Sequence, residues 1–223
     1  MSEALSASQS LRRRAREAPA PGAAPRRSRT PSADVQSALL AAAEAVLVRD
    51  GPGGLTVRAV AAEAGIAPMG VYNRLGGKDG LIDALLIRGF DRLRLTVDRT
   101  LAATADEPDM RGRLLACAAS YRRFALDNPH FYAIMFEDAI PHEFTEEVGE
   151  HATAAFGALV RVVELAAAAG ALAAPDPTEV AQQIWSALHG AVALELKGLV
   201  LTPDAERTYQ AMITTVIRGL APR

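Results

Sequence analysis

The chain has 223 residues, half of them hydrophobic, with one cysteine and a net charge of −2, enough for one or two domains with a real core and too little cysteine for a disulfide framework. Its longest apolar runs, such as Leu165 to Pro175, fall well short of the roughly 20 residues of a membrane span. The arginine-rich start lacks the apolar stretch of a secretory signal, so a cytoplasmic protein with no membrane association is expected.

Valines and isoleucines recur at spacings of three and four among alanines and do not alternate with polar residues, so the fold class is all-α. Charge divides the chain: the first hundred residues carry +5 (15 basic against 10 acidic) and the rest −7 (9 against 16). A basic segment followed by an acidic one points to two different partners, the first a polyanion.

In chain order, residues 1–31 hold "LRRRAREAPAPGAAPRRSRTP", rich in arginine and proline with little to bury, and read as a disordered basic arm. Such an arm either touches DNA phosphates or serves only as a solubilising tail. Residues 32–80 open with a helix whose apolar face is Val35, Leu39, Ala42, Val46 and Leu47, ended by Gly51 to Gly54. Thr56 is then the N-cap of a short helix with Val57, Val60, Ala61 and Ala64 inward, stopped by Gly65. After a tight turn, Ala67 to Leu75 form a stub of about two turns. A long amphipathic helix starts near Lys78 and runs unbroken through Arg99, with Leu81, Leu85, Phe90, Leu93 and Val97 inward. Residues 81–223 form a larger helical domain that includes most of this helix. Further helices follow over Met110 to Asp127, Phe131 to Phe136, Thr145 to Ala169, Asp176 to Leu199 and Pro203 to Leu220. Asp176-Pro177 with Glu179 has the form of a capping box, and Pro203 after Thr202 suits a first helical position.

Two short helices joined by a glycine-containing turn, the second with polar residues outward, are the sequence form of a helix-turn-helix, whose second helix enters the DNA major groove. Here the chain resembles the TetR family of bacterial transcriptional repressors, through Leu55-Thr56, Ala61-Ala62-Glu63-Ala64, Gly65-Ile66, Tyr72 and Lys78, over about Ser32 to Leu86. Ala67 stands where the family often has Ser or Thr as a cap, and Leu75 where an aromatic is usual. The resemblance implies a ligand-responsive repressor that binds a palindromic double-stranded operator as a dimer. Thr56 and its neighbouring amides suit a phosphate, and Arg58 suits a phosphate or a base edge. Pro68, Met69 and Gly70 lie where base contacts are made: Met69 can meet a thymine methyl and Gly70 admits close backbone approach. Asn73 can pair with adenine and Arg74 with guanine or phosphate. Tyr72 and Lys78 resemble the family's phosphate anchors, against a plainer reading of Tyr72 as a core ring with a wet hydroxyl.

Downstream, "IWSALHGAVALELKG" resembles the Trp-His-Gly signature of one class of TetR C-terminal domains through Trp185, His189 and Gly190. That class implies a ligand cavity between helices and a homodimer built by the last two long helices, residues 176–220. Ile184, Leu188, Ala191, Met212, Ile213 and Val216 are the expected interface residues. Tyr121, Phe124, Phe131, Met135, Trp185 and His189 are the candidate ligand contacts, for a small-molecule inducer of apolar or aromatic character. Aromatics on helices are also ordinary packing, and His189 also suits a hydrogen-bonded core position.

An enzyme is the competing class, and "RLGGKDG" invites comparison with a phosphate-binding loop. A Walker A motif would need glycine at Tyr72 and Ser or Thr at Asp79. His142-Glu143 lacks the second histidine of HExxH, and Cys117 reads as a small core residue. No catalytic residue, metal or cofactor is therefore expected. A helical module that binds protein and not DNA is the third class.

Overall fold

A computed structural model describes residues 32–137 and 139–222; the expected basic arm over 1–31 lies outside them. The described residues are helical with no strand, as α1 (Ser32–Gly54), α2 (Val57–Glu63), α3 (Pro68–Leu75), α4 (Lys78–Ala103), α5 (Met110–Asp127), α6 (Pro129–Phe136), α7 (Glu146–Ala168), α8 (Pro177–Leu196) and α9 (Ala205–Gly219). From Val35 onward the chain packs as one compact unit, and the boundary expected at residue 80 falls inside α4.

The caps explain where helices begin. Thr56 accepts from the Ala59 N–H at 3.1 Å and starts α2 as expected. Asp176 accepts from the Thr178 and Glu179 N–H groups at 2.9 and 3.3 Å. The expected capping box is only half made, because the Glu179 carboxylate turns forward to Gln183 Nε2 at 3.1 Å. The last helix begins at Ala205, not at Pro203. Asp204 caps it by accepting from the Arg207 N–H at 2.9 Å, while Thr202 faces the Thr208 hydroxyl at 2.7 Å. A carboxylate placed one residue after the proline gives the helix its N-cap, and Pro203 stays in the preceding turn.

The first three helices pack through Leu39, Val46, Leu47, Val60, Val71 and Leu75, all buried. In α1 the backbone turns at Gly51, where φ is 69°, so the apolar helix breaks where the sequence placed its end. Arg49 on α1 reaches Glu63 on α2 at 2.6 Å across the exposed side of this bundle. The joint between α3 and α4 is made by Gly76 and Gly77, with φ of 74° and 98°, conformations that cost any other residue about 1 kcal/mol or more. A side chain at Gly80 would run into the Leu75 carbonyl oxygen, so the start of α4 passes directly against the end of α3.

Beyond that joint, α4 lies against α5, α6 and α7, burying Leu81, Leu85, Phe90, Leu93 and Val97 as the periodicity predicts. Of the helices in the described residues, α7 alone has the length and apolarity to cross a bilayer. One face, including Val148, Ala158, Val162 and Val163, is packed in the core, and its Arg161 pairs with Asp98 of α4 at 2.8 Å. Helices α8 and α9 pack on each other and on α5. Arg122 holds Glu195 through two bonds of 2.8 and 2.6 Å, and the Tyr209 hydroxyl donates to the Ala118 carbonyl at 2.7 Å.

The structure corrects part of the expected dimer face. Ile184, Leu188 and Ile213 are 3%, 3% and 2% exposed, because α5 and α9 or α8 already cover them within one chain. The outward sides of these helices carry Gly190, Leu194, Ala211 and Thr215 instead, with Ala191, Met212 and Val216 half-buried beside them.

Ala67 occupies the N-cap of α3 in the right extended conformation (φ −69°, ψ 145°) but has no side-chain acceptor. Replacing Ala67 with Ser should raise stability by about 0.5–2 kcal/mol, seen as a higher urea midpoint with an unchanged slope.

Candidate nucleic-acid interface and internal cavity

Glycine at position 65, with φ of 66°, turns the chain from α2 into α3, and the Ile66 N–H closes the turn onto the Ala61 carbonyl at 3.0 Å. Pro68 starts α3, where its missing N–H costs nothing, and Val71 and Leu75 anchor one side of the helix in the core. The other side is left outward. Met69 is 64% exposed and Tyr72 54%, a large apolar and a large aromatic side chain held in water three residues apart. Pro68, Asn73 and Arg74 are exposed on the same short helix, and Lys78 is exposed at the first residue of α4. Thr56 and Arg58 are exposed at the start of α2. All the residues singled out for DNA contact therefore lie at the outer surface except Gly70, which is half-buried.

Two of these residues have packing roles that the sequence did not reveal. A side chain at Gly70 would meet the Ile66 δ-methyl at 2.7 Å, so the end of the Ile66 side chain lies in the space such a side chain would take. The Tyr72 ring lies over Gly77, 3.0 Å from where a Cβ would stand. Tyr72 is thus a ring seated on the α3–α4 joint and 54% exposed, not the core ring of the plainer reading. Thr56 holds its own helix end through the bond to Ala59.

A separate feature lies inside the helical body. A cavity of about 240 Å³ is enclosed by side chains from six helices, α4 to α9, and by Phe144 before α7. Tyr121, Met135 and Trp185 line it as expected. Phe124, Phe131 and His189 do not, and each has a physical reason. Phe124 lies beyond Tyr121 on α5 and is buried in the core. Phe131 faces α4, with the Arg92 guanidinium 5.1 Å over its ring. His189 stands behind the wall, stacked on Tyr132 and close to Trp185 and Phe136. Phe90, Phe136, Phe144, Phe156 and Leu159 are wall residues that the sequence did not single out. Their only signal was an apolar stripe at helical spacing, which a cavity wall and a solid core share.

Among the described residues that line the cavity none is charged; the polar atoms are those of Tyr121, Cys117 and Trp185. Burial pushes the Tyr121 phenol up to about 12 against the pull of the Trp185 and Tyr132 side chains, and pushes the Cys117 thiol up to about 11 against Arg113. Burial also raises the Tyr132 and Tyr209 phenols, and holds the His189 imidazole below its ordinary value with Glu137 opposing. Nearby, the Tyr132 and Tyr121 hydroxyls approach His189 Nδ1 at 2.8 and 3.2 Å. No group of three His, Cys, Asp or Glu among the described residues is placed to hold a metal ion.

Three comparisons bear on these features. The family model for bacterial regulatory proteins of the tetR family matches residues 39–85, and the model for a tetracyclin repressor-like C-terminal domain matches 114–216. An uncharacterized HTH-type transcriptional regulator of Mycobacterium tuberculosis is 25% identical over 213 residues, covering 93% of this chain and 94% of its own. An HTH-type transcriptional regulator of Mycobacterium bovis is 25% identical over 179 residues, 68% of this chain and 76% of its own. The solved structure of a protein of unknown function from Rhodococcus sp. RHA1 superposes with a TM-score of 0.75 at 29% identity, covering 90% of this chain and all of that one.

The buried phenols and thiol fix the alkaline limit of the fold. Their folded-state values lie above the ordinary 10.0 and 9.0, so their stabilisation is complete below about pH 9 and is lost as pH rises toward 11 and 12. In a spectrophotometric titration, ionisation of Tyr121, Tyr132 and Tyr209 should coincide with loss of the helical circular dichroism signal; smooth ionisation of all three with the helix intact would contradict their burial.

Proposed function

Since the chain belongs to the TetR family of transcriptional regulators, whose members bind DNA through a helix-turn-helix, we propose that it is a ligand-responsive repressor that acts in the cytoplasm and binds a palindromic operator as a homodimer. The observation that carries this reading is the outward side of α3: Met69 and Tyr72 stand in solvent, with Asn73 and Arg74 beside them, on a helix whose other side is fixed in the core. In this reading Met69 and Asn73 read base edges and Arg74 takes guanine or phosphate. Pro68 lies among the base contacts, Gly70 lets the backbone approach, Thr56, Tyr72 and Lys78 hold phosphates, and Arg58 takes a phosphate or a base edge. The division of labour has a direct test. Lys78→Ala should weaken binding to all sequences alike and lower the salt slope by about 1, whereas Asn73→Ala should cost roughly 1–3 kcal/mol and relax one base position. Selection of bound fragments from a random DNA pool reads both effects, and an unchanged consensus for Asn73→Ala would remove it from base readout.

A single helix-turn-helix covers too few base pairs for useful specificity, and a two-fold pair reads a palindrome. The dimer is proposed through residues 176–220, on the side of α8 and α9 where Gly190, Leu194, Ala211 and Thr215 face outward. Small residues there allow close helix approach, and Leu194 at 51% exposed supplies apolar area. The cavity is proposed as the site of an apolar or aromatic inducer. α4 is continuous from Lys78, beside the reading helix, to Val97 in the cavity wall, so a shift at one end displaces the other. In a dimer that displacement alters the separation of two recognition helices that must enter grooves about 34 Å apart. A 100-fold loss of operator affinity requires a coupling of about 2.7 kcal/mol, and operator DNA must weaken inducer binding by the same factor. Titration of an inducer against the free dimer and against the operator complex should give equal losses in both directions; equal affinity for the two forms would exclude the switch.

A further inference from the structure

We propose that the cavity takes a neutral, largely apolar molecule carrying one hydrogen-bond acceptor, and that the Tyr121 hydroxyl is the group that reads this acceptor. The inference rests on the reading of the cavity as the effector site and adds the chemical class of the effector. Tyr121 is 5% exposed, and its side chain lines the cavity. Its hydroxyl lies 3.2 Å from His189 Nδ1, the same nitrogen that the Tyr132 hydroxyl approaches at 2.8 Å. A ring nitrogen offers one lone pair or one proton, so it engages only one of two hydroxyls strongly. The shorter contact belongs to Tyr132, which is not a wall residue. Tyr121, whose hydroxyl also meets the Trp185 and Tyr132 side chains, is left with the longer of the two contacts to that nitrogen and stands at the most polar point of an otherwise apolar wall. A carbonyl or ether oxygen placed against it accepts from the hydroxyl in exchange for this longer contact, which a hydrocarbon cannot do.

Charge is selected against on both sides. The wall holds no carboxylate for a cationic ligand and no cation for an anionic one. Arg113, whose charge is felt at Cys117, donates through Nη2 to the Leu101 carbonyl at 3.1 Å, has its Nε buried without a partner, and is not a wall residue. A carboxylate would enter a space whose wall itself holds no counterion. The volume of about 240 Å³ exceeds the roughly 150 Å³ that accommodates benzene. It suits an acceptor-bearing molecule on the order of ten to fifteen non-hydrogen atoms.

Trp185 is the single tryptophan of the chain and lines the cavity, so its fluorescence reports occupancy. Full-length protein should be titrated with 4-phenyl-2-butanone, butylbenzene and 4-phenylbutyrate, following Trp185 emission and the thermal midpoint. The ketone should bind about 10-fold tighter than the hydrocarbon, and the carboxylate weakest. Tyr121→Phe should bring the ketone down to the hydrocarbon level without weakening the hydrocarbon, and Cys117→Ala, which alters the other polar wall residue of α5, should keep the preference. Equal binding of ketone and hydrocarbon overturns the proposal while leaving the cavity as a ligand site. Tightest binding by the carboxylate overturns it in favour of Arg113. A preference that survives Tyr121→Phe also overturns it. Binding by none of the three removes the effector reading of the cavity and this inference with it. If Tyr121→Phe does not fold, the wild-type series still decides the ligand class, and quenching of the phenol's ultraviolet difference signal at Tyr121 by the ketone but not the hydrocarbon decides the role of Tyr121.

Discussion

The rest of the structure depends on the joint between α3 and α4. Gly76 and Gly77 reverse the chain in conformations that other residues enter only with strain, and Gly80 lets the first turn of α4 pass against the Leu75 carbonyl. The Tyr72 ring then closes over Gly77. With no slack at this point, the direction of α3 is set by the direction of α4. The same α4 contributes Phe90, Leu93 and Val97 to the cavity wall, so surface and interior share one rigid element.

Further ties hold α4 in register. Glu44 of α1 meets Arg88 at 3.1 Å and Arg92 at 2.5 Å, and Arg92 in turn covers Phe131 of α6. Met135, one turn along α6, fills the space that a side chain at Gly89 would need and also lines the cavity. The ion pairs are partly exposed and stabilise the fold by no more than about 1 kcal/mol each. Their effect is on position: α1, α4 and α6 meet over the single stretch from Arg88 to Arg92.

Local features were legible in the sequence, and features made by several helices were not. Helix type, the Thr56 cap, the two-turn length of α3 and the inward stripe of α4 all follow from neighbours within about four residues, and the structure has them. The start of α9 was misplaced because Pro203 competes with the better cap at Asp204. Phe131 and Phe124 carry the same apolar signal as Tyr121 and Met135; whether such a residue borders empty space or another side chain depends on helices far away in sequence. The same applies to Ile184, Leu188 and Ile213, whose apolar character fits a dimer face as well as the core that buries them. Gly70 was legible as a place of close backbone approach, but the Ile66 side chain that lies against it was not.

The two candidate sites are distributed very differently along the chain. The outward residues from Thr56 to Lys78 form one contiguous segment, anchored in the core by Val60, Val71 and Leu75 and reaching just past the glycine joint. The cavity wall runs from Phe90 to Ile217 and draws on six helices. In recombination terms the first is a cassette: a single short exchange replaces the whole outward face, provided apolar residues stand again at the positions of Val60, Val71 and Leu75. The second has no such unit. A changed wall arises one side chain at a time, each change accommodated by neighbours that belong to other helices, so the cavity lacks the modularity of the α3 face.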